Sequence, residues 1–469
     1  MASRIIPDER TVVLADRSMR DGRWVLYWMQ QSQRAEDNHA LEYAVQQANA
    51  LALPLLVVFG LTDDWPAANL RHYVFMLEGL GEVRRALERR GIAFVAERGH
   101  PPEVALRWAE GSALVVTDRG YLRHQKQWRS EFAKHAGTRV VQVESDATVP
   151  VAVTSSKAEY AARTIRPKIH EQLDAFLVDL TTTPLENSDL SLSRTDFDLD
   201  APEATARKLG VDVSVGPVSA LFSGGTTQAK RILRAFIDEV LVDYEVNRNQ
   251  PQTDFVSHMS KYLHFGQISP VYVARRVVES EAPQREKDAY IEELVVRREL
   301  AINFVQYTDD YDSYSCIPEW ARKSLAEHAD DPREYVYSDS QLVAAETHDP
   351  YWNAAMLEMR ETGYMHNYMR MYWGKKILEW TEDPAEAFAR TLHINNRFFV
   401  DGRDPNSYAG VAWCYGVHDR AWQERPVFGK VRYMNANGLA RKADPDAYVA
   451  KVEGVVERLD RDREDASRS

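Results

Sequence analysis

Short apolar runs alternate with amphipathic stretches over residues 24–150. The runs Trp24–Met29, Leu55–Phe59, Ala93–Ala96, Ala113–Thr117 and Arg139–Val143 are largely apolar without a two-residue alternation. That pattern predicts strands buried on both faces. Between them, Asn38–Ala52, Leu70–Arg90 and Gln125–His135 carry apolar residues at helical spacing. The expectation is an α/β fold: a Rossmann-like parallel domain over residues 1–150, with helices covering the sheet. Ligands in such sheets sit beyond the carboxyl ends of the strands, here Met29-Gln30-Gln31 and Gly60-Leu61-Thr62-Asp63. No Walker A sequence is present, and Gly79-Leu80-Gly81 lies inside a helical pattern rather than after a strand.

Residues 151–227 read as an inter-domain linker. The stretch 178–222 is polar, turn-rich and weakly periodic, so it is expected to lie over the surface. Gly224-Gly225-Thr226-Thr227 closes it, with a Thr placed to cap a helix beginning near Gln228. From there to residue 469 the pattern is helical, through Lys230–Asn247, Val271–Glu281, Lys287–Gln306, Tyr351–Trp380 and Pro384–Leu392. The second domain, 228–469, is therefore predicted to be all-helical.

The net charge of −13 argues against a generally sticky nucleic-acid binder. Charge is unevenly spread, however. From Asn395 to Lys442 there are eight Lys or Arg against four Asp or Glu. Two cysteines, Cys316 and Cys414, make neither a disulfide framework nor a metal motif, which suggests a reducing compartment. The first residues, MASRIIPDER, hold no apolar signal segment, and no apolar run is long enough to span a bilayer. A cytoplasmic monomer is expected, or a nuclear one in a eukaryote. Of 11 Trp, six fall between Trp320 and Trp422, which is denser than core filling alone requires.

Candidate chemistry concentrates in four places. Asp401-Gly402-Arg403-Asp404-Pro405-Asn406 sets two carboxylates, a guanidinium and an amide in one turn, followed by Trp413, Tyr415, Trp422 and Tyr433. Polar ligand loop, flat aromatics and local positive charge suggest a flavin-type cofactor and a nucleic-acid partner. Ser257–Gly266 offers hydroxyls ahead of a helix, suited to a diphosphate, with Lys261 adding charge; His258 and His264 have no partners at metal-ligand spacing. In Glu292–Glu299, Glu293 and Arg297 stand at i, i+4, which by itself reads as a helix-surface ion pair. In Met365–Trp373, Asn367 and Arg370 are three apart on a helix and can face one ligand. Trp373 and Trp380 are seven apart, on one helix face about 10 Å apart along the axis. Such a row suits either electron hopping or a helix–helix seam.

These residues add up to a resemblance. The chain resembles the photolyase/cryptochrome flavoproteins and, more closely, the class II cyclobutane pyrimidine dimer photolyases. The matches are Tyr27–Arg34, Ala161–Lys168, Tyr262–Ser269, Asp401–Asn406, Trp413–Gly416 and Arg425–Met434, spread over almost the whole chain.

The resemblance implies FAD in the helical domain. Tyr244, Ser257, Met259 and Ser260 would hold the diphosphate side. Asn367, Arg370, Asp401, Asp404 and Asn406 would surround the ring and ribityl chain, with Arg370 and Asp401 paired, and Asn395 would face flavin N5. A damaged dinucleotide would flip out of DNA into a pocket above the flavin, as photolyases do with their substrates. Glu293 would hydrogen-bond the dimer, Met371 would touch it, Trp413 would form a wall and Arg248 would fill the gap in the duplex or hold its backbone. Arg420, Arg425, Lys430, Arg432, Arg441 and Lys442 would contact phosphates. Light would excite reduced FAD to give the dimer one electron, with no metal and no hydrolysis. Trp373, Trp352 and Trp380, in that order outward to the surface, would re-reduce the flavin.

Two departures stand out: Lys261 replaces a frequent Pro, and Arg297 replaces a Trp that some members carry in the substrate pocket. An antenna pigment in the N-terminal domain, a deazaflavin, is the further cofactor expected. The alternatives are a cryptochrome-like photoreceptor without repair activity and, from another class, a light-independent nucleotide-binding protein. A (6-4) photolyase fits less well, because no His pair is evident in the dimer pocket.

Overall fold

The fold is that of a computed structural model, which describes residues 6–190 and 192–468, with side chains described through Asp465. Its sheet contains β1 (Thr11–Ala15), β2 (Trp24–Met29), β3 (Leu55–Leu61), β4 (Ala93–Arg98), β5 (Ser112–Asp118), β6 (Arg139–Val143) and β7 (Arg194–Thr195). The strand order is β1-β6-β5-β2-β3-β4-β7. The five strands expected from the sequence are all present, and their pairings are parallel. β2, β3 and β5 are buried at every position, as their uninterrupted apolar character requires.

The sheet is mixed rather than purely parallel. β1 runs antiparallel to β6, pairing Thr11 with Val143. It is short, and its Val12 and Val13 are exposed, so it carries no burial pattern. β7 extends the opposite edge, pairing Arg194 with Val95. Two polar residues leave no hydrophobic signature, and this strand falls within the segment read as linker. The same segment supplies Leu199, Ala206, Leu209 and Val211 to the core beside the sheet. It is fastened to the α/β layer as well as crossing its surface.

The remainder is helical, and irregular where long helices were expected. The helix Thr226–Ala235 starts after Gly225 (φ +117°) without a side-chain cap, and Thr227 instead donates to Glu82. Lys230–Asn247 is interrupted by a π-helical turn, Phe236–Val240, and a 3-10 turn, Leu241–Asp243. Lys287–Gln306 contains a π-helical segment, Glu292–Arg297. Tyr351–Trp380 divides into Pro350–Thr362 and Asn367–Glu379 at Gly363, which has φ +69°. There an added Cβ would lie 2.5 Å from Val400 Cγ2, so close packing forces the break. Among the described residues no helix is long and apolar enough to cross a membrane.

The two halves meet at a buried polar joint. Asp118, at the end of β5, accepts the N–H groups of Gln30, Gln31 and Ser32 at 2.9–3.1 Å and the Tyr27 hydroxyl at 2.8 Å. Burial pushes its carboxyl above the usual range despite those donors. Arg34 pairs with Asp146 at 2.6 Å and donates to the Gly266 carbonyl at 2.9 Å. Gln31 Nε2 donates to the His264 carbonyl at 2.7 Å. Gly266 has φ +63°, and a Cβ there would lie 2.0 Å from the Gln31 carbonyl oxygen.

Gly266→Ala should therefore lower unfolding stability by about 2–4 kcal/mol, combining backbone strain with overpacking. Urea melts of the full chain would measure it, and a loss below about 0.5 kcal/mol, the range of ordinary surface substitutions, would refute the joint's importance.

Candidate cofactor cleft and aromatic chain

The strongest concentration of predicted residues is a cleft in the helical half. Tyr244, Ser257, Met259, Ser260, Asp401, Asp404 and Asn406 line it together with Glu293. It holds about 200 Å³ of open space. The turn that supplies Asp401 and Asp404 is rigid for local reasons. Asp404 caps the helix Pro405–Cys414 by accepting from Asn406 N at 2.8 Å. Arg403, at φ +67°, is buried and donates to the Asn396 carbonyl at 2.7 Å, with His72 Nε2 at 2.9 Å. Burial acts to raise Asp404, but hydrogen bonding and charge from His264 (3.2 Å) outweigh it and hold the carboxyl below its usual value.

Arg370 lies 3.1 Å from Asp401 and its guanidinium sits 3.8 Å from the Phe399 ring centroid. Asn395 is buried and donates to Asn396 Oδ1 at 3.0 Å, and that oxygen also accepts from Arg403 N at 2.9 Å. Asn367 is exposed at the start of its helix, and the cleft wall does not include it. The walls do include Leu263, Tyr290, Leu294 and Arg298, which the sequence pattern did not single out. Arg298 follows Arg297 directly, and only the π-helical turn decides which of the two faces inward.

That turn also corrects the expected ion pair. Arg297 reaches Glu292, five residues back, at 2.8 Å; Glu292 also takes Arg166 at 2.7 Å. This is the offset of a π-helix, not of an α-helix. Arg297 is exposed and outside the cleft wall. Glu293 is freed to face the cleft, where it pairs with Arg248 at 2.7 Å.

Lys261 is likewise not where its charge was expected. It is buried away from the cleft wall, donates to the His258 carbonyl at 3.2 Å and lies 3.8 Å from the Phe222 centroid. Burial pushes its amine down to about 7. His258 adopts φ +54°, so the lysine fastens a left-handed turn.

Met371 and Trp413 are half-buried. Beside Trp413 lie Lys375 Nζ (5.2 Å) and Arg432 (5.4 Å). Arg432 pairs with Asp419 at 2.8 Å and covers the exposed Trp422 at 4.1 Å; Arg420 lies 4.8 Å from the same ring. Arg425 covers Tyr433 at 4.1 Å, and Lys430, Arg441 and Lys442 are exposed. Gln250 donates to the Lys442 carbonyl at 3.0 Å, which joins the Arg248 segment to the Arg441-Lys442 turn.

The three indoles touch in sequence. Trp373 and Trp352 are nearly parallel with centroids 6.4 Å apart, and Trp352 meets Trp380 edge-on at 5.4 Å. At the inner end Trp373 lies 6.5 Å from Phe399, the ring beneath Arg370. One expectation fails: Trp380 is only 2% exposed, so it is not the surface residue of the row.

A second cavity, of about 80 Å³, lies where the α/β pattern placed a ligand. Met29, Gln30, Gln31, Gly60, Leu61 and Thr62 line it from the strand ends, facing Trp65, Tyr73, Tyr121 and Trp128. The Gln30 amide is buried with no hydrogen-bond partner among the described residues. Arg298 and Asp404 border both cavities.

The buried amine yields a pH test. The unfolded chain holds the Lys261 proton up to about 10.5, the folded one only to about 7, so its contribution to stability falls as pH drops between those values and levels off below. Lys261→Met should abolish this component: the stability of wild type relative to the variant should rise from pH 7 to 10. A difference independent of pH, in denaturant melts at matched ionic strength, would contradict it.

The DNA photolyase family model matches residues 25–187. A deoxyribodipyrimidine photo-lyase of Methanothermobacter thermautotrophicus is 52% identical over 93% of this chain and 96% of its own length. One from Arabidopsis thaliana is 39% identical over 94% and 92%. In fold, a class III photolyase from Agrobacterium tumefaciens superposes with TM-score 0.72 at 18% identity, covering 93% of this chain and 87% of its own. A Synechocystis cryptochrome gives TM-score 0.68 at 16% identity, covering 91% and 88%. With an α/β layer joined to a helical half that holds a polar cleft, and relatives matched along nearly their full length, the chain belongs to the DNA photolyase family.

Proposed function

We propose that this chain is a light-driven, class II-type deoxyribodipyrimidine photolyase, which reverses cyclobutane pyrimidine dimers in DNA. The observation that carries the reading is a single cleft holding Glu293 together with Asp401, Asp404, Asn406 and the Ser257–Ser260 hydroxyls. Its donor set fits FAD: hydroxyls for a diphosphate, an Arg370–Asp401 pair and Asn406 for a polar ring edge, and Met259, Leu263 and Leu294 for apolar faces. FAD bound there supplies a light-excited one-electron donor. The aromatic-lined strand-end cavity is the place for a second flat chromophore, a deazaflavin.

The protein's own share is positioning. The buried Asn395–Asn396–Arg403 hydrogen bonds fix an amide beside the Asp401 turn. Glu293 is held ready by Arg248, and DNA entry exchanges that pairing: the guanidinium goes to the duplex and the carboxylate to the dimer. A dimer stacks and pairs poorly, so extruding it costs less than extruding normal bases. Trp413 and Met371 provide an apolar wall, and Arg420, Arg425, Lys430 and Arg441 a positively charged rim for phosphates. The unpaired Cys316 and Cys414 fit a reducing cytoplasm or nucleus.

Illumination of the reduced protein with an oligonucleotide carrying a thymine dimer should restore thymine absorbance, with no recovery in the dark. FAD bound but no recovery would favour the photoreceptor reading instead. Glu293→Gln should slow repair roughly ten- to a hundredfold, the loss of about 1.5–3 kcal/mol from a hydrogen bond to a charged group. Unchanged repair would remove Glu293 from the dimer. Asn395→Leu should impair stable flavin reduction, read from the visible spectrum. Each of Arg425→Gln and Lys430→Gln should lower the slope of log affinity against log salt by about 1; an unchanged slope would exclude that residue from the DNA contact.

A further inference from the structure

The indole row needs an outer end, and Trp380 does not provide it, because other rings cover it. Tyr337 meets it edge-on with centroids 5.1 Å apart, and His348 lies at 5.5 Å. Tyr335 stacks on His348 at 3.6 Å and is 38% exposed. Contacting rings thus run from Trp373 to solvent, with no step longer than the 6.4 Å between Trp373 and Trp352.

Proton handling separates Tyr337 from the inner indoles. An aromatic ring that loses an electron becomes a strong acid, and a neighbouring base within hydrogen-bond reach can take the proton. Trp373 Nε1 is buried with no partner among the described residues. Trp352 Nε1 donates to the Trp373 carbonyl at 3.0 Å, an oxygen of negligible basicity. A hole on either ring keeps its proton and stays mobile. Tyr337 differs: its hydroxyl lies 2.6 Å from His348 Nδ1. The same oxygen accepts the His348 main-chain N–H at 3.0 Å. When His348 carries its proton on Nε2, the phenolic O–H points at Nδ1, and the main-chain N–H remains in place to hold the oxygen after the proton leaves. The imidazole is anchored at the mouth of the row, because the next residue, Asp349, caps the helix that carries Trp352.

We propose that Tyr337 and His348 form the proton-coupled terminus of the electron route. Tyr337 gives one electron to oxidised Trp380 while its hydroxyl proton passes to His348 Nδ1, leaving a neutral phenoxyl and a protonated imidazole. At the exposed edge a solvent thiol returns one electron, releases its proton to water and becomes a thiyl radical, two of which couple to a disulfide over two turnovers, and the imidazole returns the phenolic proton. This rests on the reading of the indoles as an electron route. The competing view is that Tyr335, Tyr337 and His348 are only an aromatic lid over Trp380.

The test follows the radical. In the flavin-loaded full-length protein, illuminated without added reductant, electron paramagnetic resonance should show a tyrosyl radical. In a second arm that does not depend on flavin, a photogenerated ruthenium(III) polypyridyl complex oxidises the protein from solvent. In both arms Tyr337→Phe should lose the tyrosyl signal and leave a tryptophanyl radical. His348→Gln should reduce the tyrosyl yield and abolish the solvent deuterium effect on its formation. Tyr335→Phe should leave a tyrosyl signal in place. A tyrosyl signal unchanged in Tyr337→Phe, or a yield and isotope effect unchanged in His348→Gln, would overturn the proposal and leave the lid. If Trp373→Phe leaves the light-induced radical yield intact, the indole row itself is wrong; if that variant loses the signal while wild type shows only tryptophanyl, the row stands and the terminus falls. Thermal melting matched to wild type should accompany each variant, and both substituted side chains lie near the surface.

Discussion

Much of the arrangement depends on how the end of β2 is fastened to the helical half. Asp118 gathers three consecutive N–H groups and the Tyr27 hydroxyl, which bends the chain out of the sheet at Gln30–Ser32. Arg34 and Gln31 then bind carbonyls of the His264–Gly266 turn. That turn carries His264, which holds Asp404, and Asp404 borders both cavities. A buried charge without a partner is costly, so removing one member of such a network leaves the others unsatisfied. The network places the strand-end cavity and the helical cleft on two sides of a shared wall, and their relative position follows from it.

The irregular helices serve the same end. A regular helix through Glu292–Glu299 would pair Glu293 with Arg297 and spend the carboxylate on the surface. The π-helical turn moves Arg297 onto Glu292 and turns Glu293 and Arg298 toward the cleft. The break at Gly363 acts similarly, by folding the helix of Trp352 back against that of Trp373 so that residues 21 apart in sequence meet as rings.

Charge and aromatic surface then divide the labour. Burial removes charge preference at Lys261, which becomes a packing and hydrogen-bonding group. Arg420 and Arg425 are exposed instead, with indole and phenol rings beneath their guanidinium groups. An overall acidic chain thus presents basic side chains over aromatic rings in its C-terminal segment.

The sequence by itself determined the central strands, because positions buried on both faces must be apolar without alternation, and it determined the order of α/β and helical halves. It also carried the cleft's polar lining: Ser257, Asp401, Asp404 and Asn406 are grouped within short motifs whose local turns fix them. It did not carry β1 or β7, which are edge strands without burial, or the inward turn of Arg298 in place of Arg297. It placed Trp373 and Trp380 on one helix, but their contact passes through Trp352, and Trp380 is sealed by rings from residues 335–348. These are decided by non-local packing, by a π-helical offset of one residue and by a glycine-forced reversal. None of the three has a periodicity that a linear pattern of hydrophobic and polar positions could express.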